Sequence, residues 1–66
     1  MNKKNIGERL SKLRGKKSQE TVAAAVGISV SALSMYESGL RIPRDDIKVK
    51  LALYFGVTVQ ELFFAA

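Results

Sequence analysis

The sequence has no cysteine, no histidine and no tryptophan, and only one proline. Without cysteine, neither a disulfide nor a thiolate metal site can staple so small a chain. Without histidine, zinc sites built from Cys or His are excluded, and so is acid–base catalysis by imidazole. No cofactor is implied. No apolar run approaches the roughly 20 residues of a membrane-spanning helix. The basic first residues lack the apolar stretch that follows them in a signal peptide, so the expected location is the cytoplasm, with no membrane partner. Serine, aspartate and glutamate are present, but no pair of them forms a recognisable constellation with a base. The chain does not read as an enzyme, and no small-molecule substrate is expected.

What is present is uneven charge. The net charge is +5 over 66 residues. The first 17 residues hold Lys3, Lys4, Arg9, Lys12, Arg14, Lys16 and Lys17 against Glu8 alone, a local +6. From Ser18 onward, Arg41, Arg44, Lys48 and Lys50 face Glu20, Glu37, Asp45, Asp46 and Glu61, a local −1. Such asymmetry suits a polyanionic partner; a solubilising surface is the competing reading. The length implies one domain, residues 1–66, burying only roughly 60% of the surface its unfolded form exposes. A compact helical fold, aided by dimerisation, is the expected solution.

Apolar spacing divides the chain into five helices. Ile6, Leu10 and Leu13 recur at i, i+4 and i+7, one face of a first helix over about residues 5–14. Gly15 ends it. Ser18 is the expected N-cap of the second helix, with Glu20 near its positive end. Gly27 stops that helix in a left-handed conformation, and Ser29 caps a third that runs to about Ser38. Residues 40–44 form a loop in which Pro43 discourages helix just before it. Asp45 or Asp46 is expected to cap a fourth helix whose buried side carries Ile47, Leu51, Tyr54 and Phe55. Thr58 caps a short fifth helix containing Val59, Leu62 and Phe63. No strand pattern or repeat interrupts this, so the fold class is an all-α bundle.

The stretch Gln19 to Ser38, QETVAAAVGISVSALSMYES, carries the functional signal. Val22, Val26, Ile28, Leu33 and Tyr36 are spaced to face a core, and Ala23 is small enough for close helix contact. Ser29, Val30, Ser31, Ser34, Met35 and Ser38 are left pointing away. Two short helices held this way present the second one to the major groove of DNA.

These residues, with IGERLSKLR, SALSMYESG, Pro43 and LALYFGVTVQELF, resemble the lambda-repressor-like, or Cro-like, helix-turn-helix family, also called the xenobiotic-response-element family. The resemblance runs from about Ile6 to Phe63. It implies a five-helix bundle with the helix-turn-helix at 19–38, and a transcriptional regulator that binds double-stranded DNA. By position it makes Ser29, Val30, Ser31, Ser34 and Met35 the base-facing candidates. It also implies that Gln19 holds a phosphate and buttresses the reading helix, and that Arg14 pairs with Glu37 to tie that helix to its scaffold. Solvation of both Arg14 and Glu37 is the alternative.

The chain departs from the family pattern at Val30 and Met35, where many relatives carry Arg, Lys or Gln. Neither residue offers a useful hydrogen bond to a base edge. Val30 reads as a thymine-methyl contact or as partial core packing, and Met35 as a groove filler or a partner surface. Modest direct readout is expected, with shape and phosphate contacts weighing more. Lys48 falls where relatives often keep Leu, and Leu53 where they are often polar. Either the fourth helix is rotated or Leu53 meets a second subunit.

An electrostatic grip on phosphates is expected from Lys17, Gln19, Ser38, Arg41 and Arg44, with Lys16 in support; a solvated surface charge is the alternative for each. Family members usually dimerise, setting two reading helices about 34 Å apart. Val59, Leu62 and Phe63 are expected to complete the core. Phe64, with Val57 and Leu53, is then left over as a homodimer patch, unless Phe64 folds back on its own core. The leading function is a small dimeric repressor. The alternative is a protein-interaction module such as an antitoxin-like subunit. A cationic chain acting at membranes is disfavoured by the capping signals.

Overall fold

Three of the helices begin with the same local device. Asn2 Oδ1 accepts the Asn5 N–H at 3.1 Å, Ser18 Oγ accepts that of Thr21 at 3.0 Å, and Ser29 Oγ accepts that of Ala32 at 3.0 Å. Each bond satisfies one of the amide donors left without a partner at a helix start. The computed structural model describes residues 2–65, and among them it contains five helices and no strand. They are α1 (Lys3–Arg14), α2 (Gln19–Val26), α3 (Val30–Glu37), α4 (Asp45–Phe55) and α5 (Gln60–Phe64), the last a single π-wound turn. Because Asn2 is a cap, α1 starts two residues earlier than its apolar spacing suggests.

The core is a set of side chains contributed by all five helices. Ile6, Leu10, Val22, Leu33, Leu51, Leu62 and Phe63 are fully enclosed, with Ala23, Val26, Tyr36 and Ile47 beside them. Each large side chain so placed stabilises the fold by roughly 1.5–3 kcal/mol before entropy is counted. α1 packs chiefly on α3, α2 on α3 and α4, and α5 closes against α1. The approach of α1 to α3 is set by Gly7, which is buried. A Cβ there would run into the Glu37 carbonyl and lie 2.9 Å from the Tyr36 carbonyl oxygen. Only a residue with no side chain lets these two backbones meet.

Three details differ from the sequence reading. Leu13 is 38% exposed and borders a groove with Arg9, Lys12, Val57, Glu61 and Leu62. It sits in the last turn of α1, at an open groove walled by Val57 and by Glu61 and Leu62 of α5, so it is not enclosed like Ile6 and Leu10. Neither Asp45 nor Asp46 caps α4. Arg44 is the N-cap and makes no side-chain cap bond, while both aspartates lie in the first turn. Both are already helical, whereas an N-cap residue must be extended as Arg44 is; Asp45 Oδ1 accepts from Lys48 Nζ at 3.3 Å. In α4 the buried side is Ile47, Lys48, Leu51 and Ala52, with Tyr54 and Phe55 only half-buried.

Thr58 and Glu61 cap each other at the start of α5. Glu61 Oε1 accepts the Thr58 N–H at 3.0 Å, and Thr58 Oγ1 accepts the Glu61 N–H at 3.0 Å. This reciprocal capping box fixes where the last turn begins. The backbone N–H of Thr58 and then its hydroxyl hold the Glu61 carboxyl below the ordinary glutamate range. No helix among the described residues is long and apolar enough to cross a membrane.

Candidate nucleic-acid interface

The turn between α2 and α3 spans Gly27 to Ser29. Gly27 adopts a left-handed conformation, φ 84° and ψ 34°, and its N–H reaches the Ala23 carbonyl at 2.8 Å. The Ile28 N–H bonds the same carbonyl at 3.0 Å, and Ile28 packs against the core. Ser29 then caps α3. Two local bonds and one apolar anchor thus set the angle at which α3 leaves α2.

Leu33 and Tyr36 turn inward from α3 and are buried. On the outer side Ser31, Ser34 and Ser38 are exposed, Val30 is 39% exposed, and Met35 is half-buried. The Ser29 oxygen accepts the cap bond, which leaves its hydroxyl proton and a second lone pair uncommitted. Ser38 Oγ donates to the Met35 carbonyl at 3.3 Å. The face is small, uncharged and rich in hydroxyl groups.

Behind this face lies a braced polar cluster. Arg14 Nε donates to Glu37 Oε2 at 2.7 Å, and Arg14 Nη2 to Glu37 Oε1 at 3.0 Å. Arg14 Nη1 also reaches the Lys17 carbonyl at 2.7 Å. Gln19 Nε2 donates to Glu37 Oε1 at 3.1 Å. One carboxylate therefore joins the end of α1, the start of α2 and the end of α3. Its side chain is 8% exposed and that of Arg14 is 20% exposed, so water screens the pair little. The hydrogen bond to Glu37 raises the Arg14 pKa above its already high ordinary value, so the guanidinium stays charged. Because an ionised carboxylate only accepts, the Gln19 amide must turn its NH2 to Glu37. That group carries two donors and spends one here.

The cations around α3 are not equally free. Arg41 and Lys16 are exposed. Arg44 Nε lies 3.6 Å from Asp46 Oδ1, but both side chains are mostly in water and such a pair is worth little. Lys17 Nζ donates to the Tyr54 hydroxyl at 3.2 Å and lies 5.1 Å from the centre of that ring. Lys17 is thus tied to α4, while its ammonium stays at the surface beside the start of α2.

The apolar residues set aside for a second subunit border different features. Leu53 is 76% exposed on α4 and edges a hollow with Ala25, Val26, Lys50 and Tyr54. Val57 is half-buried in the groove beside Leu13. Phe64 is 48% exposed, and the ammonium of Lys48 lies 5.4 Å from the centre of its ring. Lys48, itself 8% exposed, turns toward Phe63 and Phe64 on the inner side of α4.

Sequence reasoning passed over Gly7, Arg9 and Val49. Gly7 had a signal, since a glycine inside a helix weakens it without a packing reason. Arg9, which bonds the carbonyls of Leu62 and Ala65, had none, because its partners lie more than 50 positions away. Val49, 49% exposed, stands one turn before Leu53 on α4.

A short exposed helix, set by a tight turn, braced from behind and flanked by cations, defines the class of helix-turn-helix DNA-binding proteins. The helix-turn-helix family model matches residues 10–62, and the chain belongs to this lambda-repressor-like family. Among solved structures it resembles the restriction-modification controller protein C.AhdI from Aeromonas hydrophila. The two share 35% identity over 91% of this chain and 94% of that one, with a TM-score of 0.81. No curated protein matches significantly. The protein is a DNA-binding transcription regulator.

Proposed function

We propose that this chain is a small homodimeric repressor that inserts α3 into the major groove of a near-palindromic site. Ser29, Val30, Ser31, Ser34 and Met35 face the bases. Lys17, Gln19, Ser38, Arg41 and Arg44 hold phosphates, Gln19 through the amide hydrogen that Glu37 leaves free. The serine hydroxyls bond several bases and so discriminate weakly, while Val30 packs on a thymine methyl. DNA shape and phosphate contacts therefore carry much of the selectivity. The single observation that supports this most is the outward, hydroxyl-rich face of α3 above a braced ion pair. Similarity to a restriction-modification controller supports a controller-type role exerted at the DNA.

In this reading the chain acts as one domain, has no catalytic activity and works in the cytoplasm. Leu53, Val57 and Phe64 contribute to the subunit contact, joined by Val49. Selection of bound fragments from random duplex DNA tests the proposal. The expected product is two half-sites related by a two-fold axis, about one helical turn apart, with thymine preferred near Val30. Fragments with a lone half-site, or with strong preference opposite Ser31 and Ser34 and none for thymine, contradict it.

The exposed apolar Val30 also favours a second reading, a protein-interaction module. A pull-down performed with and without nuclease separates the two. Partners that depend on DNA support the regulator, and a stoichiometric partner retained after nuclease supports the module.

A further inference from the structure

We propose that Tyr54 of α4 is a phosphate-binding residue, its hydroxyl and the Lys17 ammonium together forming a clamp for one backbone phosphate of the DNA. The inference rests on the DNA-binding reading of α3, with Lys17 as a phosphate contact, and extends the contacted surface to the end of α4. Lys17 Nζ lies 3.2 Å from the Tyr54 hydroxyl oxygen. An ammonium has three donors and no acceptor, so the direction of this bond is fixed: the lysine donates and the hydroxyl accepts. The bond leaves the hydroxyl proton unspent, and Lys17 keeps two protons more. One point of the surface therefore carries a positive charge and a set of donors, and an anionic acceptor is what complements it.

Donor atoms at this separation suit a single acceptor. Bonds to an anionic oxygen run at about 2.7–2.9 Å from a charged nitrogen and about 2.5–2.7 Å from a hydroxyl. A triangle with those two sides closes on the observed third side of 3.2 Å. One phosphate oxygen can thus accept from both residues.

The clamp is held from both ends. Tyr54 is half-buried and packs against the core, its ring edge-on to that of Phe55 with centres 5.0 Å apart and planes at 75°. The Lys17 ammonium lies 5.1 Å from the centre of the Tyr54 ring, and the Lys17 carbonyl accepts from Arg14 Nη1 at 2.7 Å. That arginine belongs to the cluster with Glu37 and Gln19 behind α3, so the clamp is tied to the seat of the reading helix. A lysine already restrained loses less rotamer freedom when a phosphate arrives. Lys50, a second exposed cation, lines the same hollow as Tyr54 and adds to the attraction for an anion. As a tie within the fold the pair offers little, because water competes for so exposed a bond.

Titrations of a selected duplex with the wild type, Tyr54→Phe and Lys17→Gln test the proposal. They are repeated on duplexes that carry a neutral methylphosphonate at one backbone position at a time. Phenylalanine keeps the ring on Phe55 and the core, so Tyr54→Phe should melt as the wild type does. It is expected to bind the selected duplex and a random one about tenfold more weakly. The slope of log K against log salt stays unchanged, because the hydroxyl carries no charge, whereas Lys17→Gln lowers it by about 1 per half-site. Both variants lose their penalty at the same methylphosphonate, which a merely structural tyrosine does not produce. Adding Tyr54→Phe to Lys17→Gln should weaken binding further, since the hydroxyl donates on its own account. Three results overturn the proposal and leave the DNA-binding reading intact: wild-type affinity in Tyr54→Phe, a penalty that persists at every methylphosphonate, or no further loss in the double variant. A wild type that binds no duplex overturns both.

Discussion

Glu37 accepts bonds from Arg14 and Gln19, so the two partners of the ion pair are not equivalent when removed. Losing Arg14 strands a carboxylate that is 8% exposed, with one amide left to it. Losing Glu37 leaves a guanidinium that is 20% exposed and still bonded to the Lys17 carbonyl. Glu37→Ala is expected to cost on the order of 3 kcal/mol, and Arg14→Ala more. The double variant should cost less than the sum, because the second removal relieves the stranded charge. Urea denaturation of the three variants measures all of this; additive losses would mean that the pair is solvated in solution. Gly7 makes a second test at this scale. Alanine gains about 1 kcal/mol of helix propensity there. It also drives a methyl group into the Tyr36 and Glu37 carbonyls, and overpacking costs about 1–3 kcal/mol. Those atoms are backbone and cannot swing aside, so the clash wins. Gly7→Ala should melt lower and bind duplex DNA more weakly, as α1 pushes α3 from its seat. A higher melting temperature would contradict this account.

Elements differ in how much of them is written locally. Ser18 and Ser29 announce the starts of α2 and α3 because a cap bond spans three residues, and Gly27 announces the turn because its conformation needs glycine. α4 is less legible. Asp45 has the chemistry of a cap, yet the helix begins one residue earlier than a capping Asp45 requires, with Arg44 extended at the N-cap position. The exchange of lysine for leucine at Lys48, and of leucine for a polar residue at Leu53, also has no local solution. The lysine faces inward because the rings of Phe63 and Phe64, brought back from the far end of the chain, receive its charge. α5 is the shortest element, one turn anchored by the buried Leu62 and Phe63 and tied at its ends by Thr58, Glu61 and Arg9. The Glu61 carboxyl is held below its ordinary range, so its contribution is complete above the unfolded glutamate pKa and is lost as pH falls through the folded one. Acidification should therefore release the Thr58 amide before the core responds. Amide proton shifts followed by pH should show Thr58 titrating with a midpoint below ordinary glutamate, and Glu61→Gln should abolish that step. A Thr58 amide unaffected by acid would place the carboxylate elsewhere.

At the scale of the whole molecule, charge sets how the protein reaches its target. The net charge of +5 is concentrated in the first 17 residues, and Arg41 adds an exposed cation just past α3. Each phosphate neutralised releases counterions, so affinity should fall steeply with salt. Arg41→Gln should weaken binding about equally for all duplexes and lower the slope of log K against log salt by about 1 per half-site. Loss of sequence preference with an unchanged slope would instead make Arg41 a reader of bases. The fold class and the outward face of α3 could be read from periodicity, since both repeat within single helices. The bracing of that face could not, because Arg14 and Glu37 are 23 residues apart and only the family resemblance joins them. The proposed function requires α3 to present its serine-rich side to DNA from a fixed seat. A nuclear magnetic resonance titration with a selected duplex tests it most directly. The largest amide shifts should fall on residues 29–38, with smaller ones at Lys17, Gln19 and Arg41, while the core of α4 stays still. Shifts confined to α4 and α5, or no association with any duplex at low salt, would contradict it.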